Sequence, residues 1–204
     1  PIQLSRLINR LDDDHSNFYI HIDKSTDIRE FKINIQKKQN IYFIEKRETC
    51  SWGDISIVIA TINILKEVLK NNHNGYCILL SGQDYPIISN DKINTFFNNN
   101  NIDYIDNEPI ENVWPNDWKK RVNYYKFNLS NEKGKYVLIP KLNMKSLLNI
   151  ETIKSLIKLL LFSKSNNKIN VILKARNFPK NMKPYGGSQW WSITNKTITK
   201  IIDF

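Results

Sequence analysis

Apolar residues recur along the chain in two periods, and the switches between them mark its elements. Leu4, Leu7, Ile8 and Leu11 fall three and four apart, which predicts an amphipathic helix at the start. Phe18 to Ile22 is a short apolar run, predicted as a strand ending at Asp23-Lys24-Ser25. Ile41 to Ile44 is predicted as a second strand. Trp52-Gly53-Asp54 then opens a long helix with Ile55, Val58, Ile59, Ile62, Leu65 and Leu69 on one face, and Asn74-Gly75 is its stop signal. Tyr76 to Leu80 is almost continuously apolar, the pattern of a strand buried on both faces. It runs into Ser81-Gly82-Gln83-Asp84-Tyr85-Pro86, where Gly and Pro mark a turn. Ser89 or Asn90 caps a short helix expected to bury Ile93, Phe96 and Phe97, and Asn98 to Asn101 reads as a loop.

The second half is less regular. From Asp106 to Lys141 the period weakens, with Trp114, Trp118, Tyr124, Tyr125 and Phe127 set among charges. A long helix is predicted from Asn143, a polar loop at Ser163 to Lys168, and a strand at Val171 to Leu173. A last strand, Trp190 to Ile193, leads to a last helix from Asn195. Strands alternating with helices indicate an α/β fold with a mostly parallel sheet flanked by helices. In such sheets ligands bind at the carboxyl ends of the strands. Asp23, Trp52 and Ser81 to Asp84 all come directly after strand-like runs, so that end is the candidate site. The chain shows no internal repeat, and one domain over 1–204 is expected.

Composition narrows the class. The 204 residues are 41% hydrophobic and 25% charged, which is ordinary globular usage. Two cysteines are too few for a disulfide framework, and Cys77, inside an apolar run, is expected to be a buried free thiol. Lys154 and Lys158 interrupt the longest apolar-rich helix, near Leu147 to Phe162, so no membrane span is predicted. A reducing, cytoplasmic compartment is expected. The net charge of +10 points to an anionic partner: a nucleotide diphosphate, a nucleic acid or an acidic membrane surface. It also fits a Lys-, Asn- and Ile-rich bias with lysines on solvated faces. Trp114 to Phe127 interleaves aromatics with Lys119, Lys120 and Arg121, as a single-strand-binding surface would. The same stretch fits an amphipathic helix with core tryptophans, and no standard recognition motif accompanies it. Nucleic acid is therefore the alternative partner and not the expected one.

Familiar catalytic signatures are missing. There is no Gly-x-Gly-x-x-Gly, no P-loop and no nucleophile elbow at Gly187-Ser188. His15, His21 and His73 lack a shared metal-ligand spacing. Asp12-Asp13-Asp14 contains a literal Asp-x-Asp, but it ends a helix ahead of the first strand and reads as a solvated helix end.

Four other segments form an ordered set. They are His21-Ile22-Asp23-Lys24, Ser51-Trp52-Gly53, Leu80-Ser81-Gly82-Gln83-Asp84-Tyr85-Pro86-Ile87 and Gly186-Gly187-Ser188-Gln189-Trp190-Trp191. With these in this order, the chain resembles the core-2/I-branching β-1,6-N-acetylglucosaminyltransferase and peptide O-xylosyltransferase family. Its last segment is closer to the bacterial and xylosyltransferase-like members. The resemblance implies a GT-A fold and inverting transfer of a sugar from a UDP-sugar to a saccharide or lipid-linked acceptor. It also implies that no metal is used, so the diphosphate is met by basic residues.

By the same resemblance, His21, Asp23, Lys24, Trp52, Gly53, Ser81 and Asp84 are donor-binding candidates, with Asp23 at the uridine or its ribose. Gly187, Ser188, Gln189 and Trp190 would face the sugar and acceptor. Small Gly186 and Gly187 permit close backbone approach to a ligand, and the Trp190 indole can cover a sugar's C–H face. Each has a plain structural alternative: a strand-end turn for Asp23, a core anchor for Trp52, an Asp-Tyr-Pro turn for Asp84, and a core strand for the tryptophans. Gln189 stands where xylosyltransferase-like members carry an acid, a departure at the acceptor side. The resemblance places the family's first strand, its diphosphate-binding basic residues and its acidic catalytic base outside these 204 residues. A binding domain without the base, and peripheral membrane association, are further expectations it leaves open.

Overall fold

In the computed structural model the described residues are 1–71, 74–130, 134–162, 178–179 and 181–204. His73, the loop expected at Ser163 to Lys168 and the strand expected at Val171 to Leu173 lie outside them. The chain divides into two compact units, Pro1–Ile105 with Ser188–Phe204, and Asp106–Gly187.

In the first unit, the opening period folds as expected. Helix α1 (Ile2–Leu11) buries Leu7 and Ile8, and β1 (Phe18–Ile20) pairs in parallel with β2 (Ile41–Phe43), Phe18 opposite Ile41. Between them α2 (Ile28–Asn34) starts where the Asp27 carboxylate accepts the Arg29 N–H. Ile8, Ile20, Ile22 and Ile35 close a cluster beneath this pair.

Helix α3 (Ile55–Lys70) begins at Asp54, whose side chain accepts the Ser56 N–H. The expected face is buried only in its second half, where Leu65 is in a core cluster and Leu69 packs against it. Ala60, Asn63, Leu65 and Val68 are buried, whereas Ile55, Val58 and Ile59 are exposed. A helix that is apolar nearly all round leaves periodicity little to choose between faces, and packing decides.

Strand β3 (Tyr76–Ile78), α4 (Asn90–Asn98) and β4 (Tyr104–Ile105) form a strand–helix–strand unit, and β9 (Trp191–Thr194) lies between the two strands, antiparallel to both. It feeds α9 (Asn195–Asp203), whose Ile198 joins Leu65, Val68 and Ile193 in a second cluster. Truncating the fully buried Ile198 to Ala would cost about 2–5 kcal/mol. β3 is not buried on both faces, since Ile78 and Leu80 are exposed. In α4 the aromatic residues do not reach a core; Phe96 and Phe97 pack against Tyr76 and Tyr104 at tilted and edge-on angles instead.

In the second unit, β5 (Glu108–Pro109) pairs antiparallel with β8 (Tyr185–Gly186), with α5 (Ile110–Val113) beside them and α6 (Trp118–Asn123) next in the chain. β6 (Tyr125–Asn128) and β7 (Tyr136–Ile139) form an antiparallel hairpin that the weak period concealed. The helix predicted from Asn143 is two helices. Asn143 and Ser146 make a reciprocal cap for α7 (Met144–Leu147), and Asn149 accepts the Glu151 and Thr152 N–H groups to start α8 (Ile150–Phe162). Phe127, Val137, Ile139 and Leu159 form this unit's core.

The architecture is mixed α/β, but the expected mostly parallel sheet is corrected. Among the described residues only β1–β2 is parallel; the remaining pairs are antiparallel, in small sheets. β3 and β4 point the same way, each antiparallel to β9, but β4 was not read from the sequence. The alternation could not show that a strand from the far end of the chain fills the gap between them.

Candidate functional site

The carboxyl end of β1 is tied to the segment that opens α3. The Cys50 N–H donates to Asp23 Oδ2 at 2.7 Å, and the Ser25 N–H and hydroxyl both donate to Asp23 Oδ1. The Lys24 N–H donates to the Glu48 carbonyl, and the Glu48 N–H donates to His21 Nε2 at 2.9 Å. Arg47 Nη1 donates to the Asp23 and Thr26 carbonyls. Two loops distant in sequence are thus stitched into one, with Asp23 at the seam.

Burial works to raise the Asp23 carboxyl. The Ser25 hydroxyl and the Cys50 and Ser25 N–H groups outweigh it and hold the group below the ordinary carboxylate range. Burial lowers His21 from its usual value, despite the opposing charges of Asp23 and Glu48. Accepting a backbone N–H at Nε2 requires that nitrogen to be unprotonated, so the neutral ring is the form that fits. Burial, helped by Asp23, raises the Cys50 thiol, and burial pushes Cys77 up to about 11. Both cysteines are free and poor nucleophiles at neutral pH.

The Trp52 turn sits at the head of α3. The Ser51 N–H donates to Ser56 Oγ, and Gly53 adopts φ 69, a left-handed conformation that favours glycine. Trp52 is exposed, so it is not a core anchor.

At the carboxyl end of β3 the Ser81–Asp84 turn closes on itself. The Ser81 N–H donates to Asp84 Oδ2 at 2.6 Å, and the Gln83 N–H donates to Ser81 Oγ. One Asp84 oxygen is therefore engaged in the turn. Helix α1 holds the following segment: Arg10 donates to the Ile88 carbonyl and Asn90 Oδ1, and Arg6 lies over the Tyr85 ring. The Leu79 N–H donates to the Trp191 carbonyl, so β9 starts beside the residues leading into Ser81. Trp191 packs into the second cluster, while its neighbour Trp190 stays 41% exposed. The core reading fits Trp191 and leaves Trp190 presenting surface. Ser188 Oγ accepts the Trp190 N–H, and Gln189 is exposed.

The glycines before Ser188 have a packing reason of their own. A side chain on Gly186 would meet the Trp114 ring at 2.4 Å, and one on Gly187 would meet the Asp106 carbonyl oxygen at 1.9 Å. The close approach expected for a ligand is, at these two side-chain positions, an approach of the chain to itself.

Asp12-Asp13-Asp14 is more than a solvated helix end. The Asp12 carboxylate pairs with Lys38 and accepts from Asn40, and Asp13 accepts from Asn94. Among the described residues no group of three or more His, Cys, Asp or Glu is placed to hold a metal ion. Around Trp114 and Trp118, Arg121 lies 4.2 Å over the first ring and Lys119 lies 5.6 Å over the second. Two of the three cations in this stretch thus lie over indole rings of their own segment, and the third, Lys120, pairs with Asp117.

Asn63 and Glu48 were missed by sequence reasoning. Buried Asn63 on α3 donates to Glu48 Oε1 and to the Lys46 carbonyl, and so anchors the loop that carries Cys50. The available signal was a lone amide between Ile62 and Ile64 in the apolar middle of α3.

The family model for the "Core-2/I-Branching enzyme" matches residues 3–203. The chain belongs to the Core-2/I-Branching enzyme family. This Core-2/I-Branching chain is 37% identical over 93 residues to the Mus musculus "Beta-1,3-galactosyl-O-glycosyl-glycoprotein beta-1,6-N-acetylglucosaminyltransferase 4", a match covering 44% of this chain and 20% of the mouse protein. It is 30% identical over 101 residues to "Xylosyltransferase oxt" of Drosophila melanogaster, covering 48% of this chain and 12% of that protein. The matched stretch therefore spans only a small part of these relatives.

Proposed function

We propose that this Core-2/I-Branching chain is a glycosyltransferase domain that moves a sugar from a UDP-sugar to a saccharide or lipid-linked hydroxyl acceptor, with inversion and without a metal ion. The observation that carries the reading is Asp23. It lies at the carboxyl end of a parallel strand pair, held ionised by three donors and fastened to the head of α3. A carboxylate has about four acceptor positions, so three protein donors leave room for a ribose or uracil donor. His21, Lys24, Trp52 and Gly53 would complete the nucleotide side, with Ser81 and Asp84 at the donor sugar. Ser188, Gln189 and Trp190 would face the sugar and acceptor, the exposed Trp190 indole offering an apolar plane to a pyranose, while Gly187 fixes the path of the chain ahead of them.

The family match over 3–203 supports one GT-A-like domain embracing both units. The names of the two relatives support N-acetylglucosamine or xylose as the sugar moved. Inverting transfer needs a base to take the acceptor proton as UDP leaves from the opposite face. That role is assigned to none of the acids described here.

Calorimetric titration with UDP, ADP and GDP, with and without EDTA, tests the reading. UDP-selective binding that survives EDTA is the expected result. Binding of all three alike, or of none, would sink the donor site as drawn.

A further inference from the structure

Helices α7 and α8 carry more apolar surface than a solvated element has use for. At about 100° per residue, Ile150, Ile153, Ile157, Leu160 and Leu161 share one flank of α8, beside the buried stripe of Thr152, Leu156 and Leu159. Met144, Leu147 and Leu148 are also exposed on α7, Leu148 at 79% and Leu161 at 72%. Lys154 and Lys158 border the far side of the apolar flank. Lys141 and Lys145, with Tyr124 and Thr152, line an open cavity of about 420 Å³ next to the start of α8. Across residues 134–162 there are lysines at 135, 141, 145, 154 and 158 and a single acid, Glu151, which pairs with Lys154 at 3.1 Å.

We propose that this face seats the protein on an anionic lipid surface, the apolar flank entering the acyl boundary and the lysines meeting phosphate headgroups. A second copy is disfavoured by charge, since pairing the face with itself would set lysine against lysine. The lipid surface supplies both complements at once: hydrocarbon for the flank and negative charge for its border. The helix lies on the membrane and does not cross it. Its thirteen residues span about 20 Å, short of a bilayer core. No helix among the described residues is long and apolar enough to cross. This inference does not rest on the glycosyltransferase reading and can fail without it.

The test is co-sedimentation of the whole 204-residue protein with vesicles of phosphatidylcholine alone and of phosphatidylcholine with phosphatidylglycerol. Binding to the mixed vesicles is expected to be at least about tenfold tighter and to weaken with added salt. Leu148→Glu with Leu161→Glu should abolish it. Lys145→Gln or Lys158→Gln should each reduce it by about fivefold. All four positions are exposed, and thermal melting checks that the variants fold. Equal binding to both vesicles, or none, overturns the proposal. So does a dimer in sedimentation equilibrium that Leu161→Glu dissociates, which would give the face to a second copy.

Discussion

Two strand ends in this protein carry motif residues and are held by opposite means. After β1, Asp23 is positioned by hydrogen bonds from Ser25 and Cys50, a polar arrangement with acceptor capacity left over. At β8, Gly186 and Gly187 are positioned by absence, the Trp114 ring and the Asp106 carbonyl occupying the space their side chains would need. Hydrogen bonds to a carboxylate can be exchanged for a ligand's and respond to pH. A steric fit against backbone has no such reserve. The first end is therefore suited to recognition, and the second to fixing where the chain runs.

The comparison is sharpened most by adding one methyl group. Gly187→Ala should destabilise the protein by about 3 kcal/mol, because the new carbon meets a backbone oxygen that has nowhere to go. Gly186→Ala should cost less, since the Trp114 ring can tilt. Urea unfolding of both variants checks the order, and a Gly187→Ala protein of native stability would break the steric half of the comparison.

Asp23→Asn should have the next largest effect, about 2 kcal/mol, since an amide cannot accept from all three donors and loses their charge assistance. If Asp23 also receives UDP, affinity falls by more than the stability loss explains. Calorimetry on the folded variant separates the two contributions, and unchanged affinity would reduce the seam to a structural one.

The smallest effect is a slope with pH. The unfolded chain takes up a proton at His21 near pH 6.5, and the folded chain only at lower pH. Between those values the unfolded state binds more protons, so stability is fully present above pH 6.5 and is lost on acidification. Asp23 acts in the same sense at lower pH, its folded value lying below the unfolded 3.8. Melting temperatures from pH 8 downward should show the His21 slope in the native protein. His21→Gln, which still offers an acceptor to the Glu48 N–H, should flatten it.

Much of the first unit was legible because its signals are local. The 3,4 spacing of Leu4, Leu7 and Ile8, the apolar runs of β1 and β2, and the Asp54 cap of α3 need only a few neighbouring residues to act. The β6–β7 hairpin was not legible, because two four-residue strands carry too few alternations to stand out among Lys126, Lys135 and the surrounding aromatics. The single helix read from Asn143 overlooked Asn149, a capping residue as plain as Asn143 itself.

The sequence by itself determined α1, β1, β2, α3, β3, α4, β9 and α9, the order of the four motifs and, through them, the family. Short-range periodicity, capping chemistry and the spacing of turn residues are written residue by residue. Tertiary structure alone decided which face of α3 is buried, that β9 runs between β3 and β4, that Cys50 and Asn63 serve Asp23 and Glu48, and that two glycines make room for Trp114 and Asp106. Each of these joins residues far apart in the chain. Such pairings depend on which surfaces are left to be covered once the local elements have formed, and no local pattern encodes that.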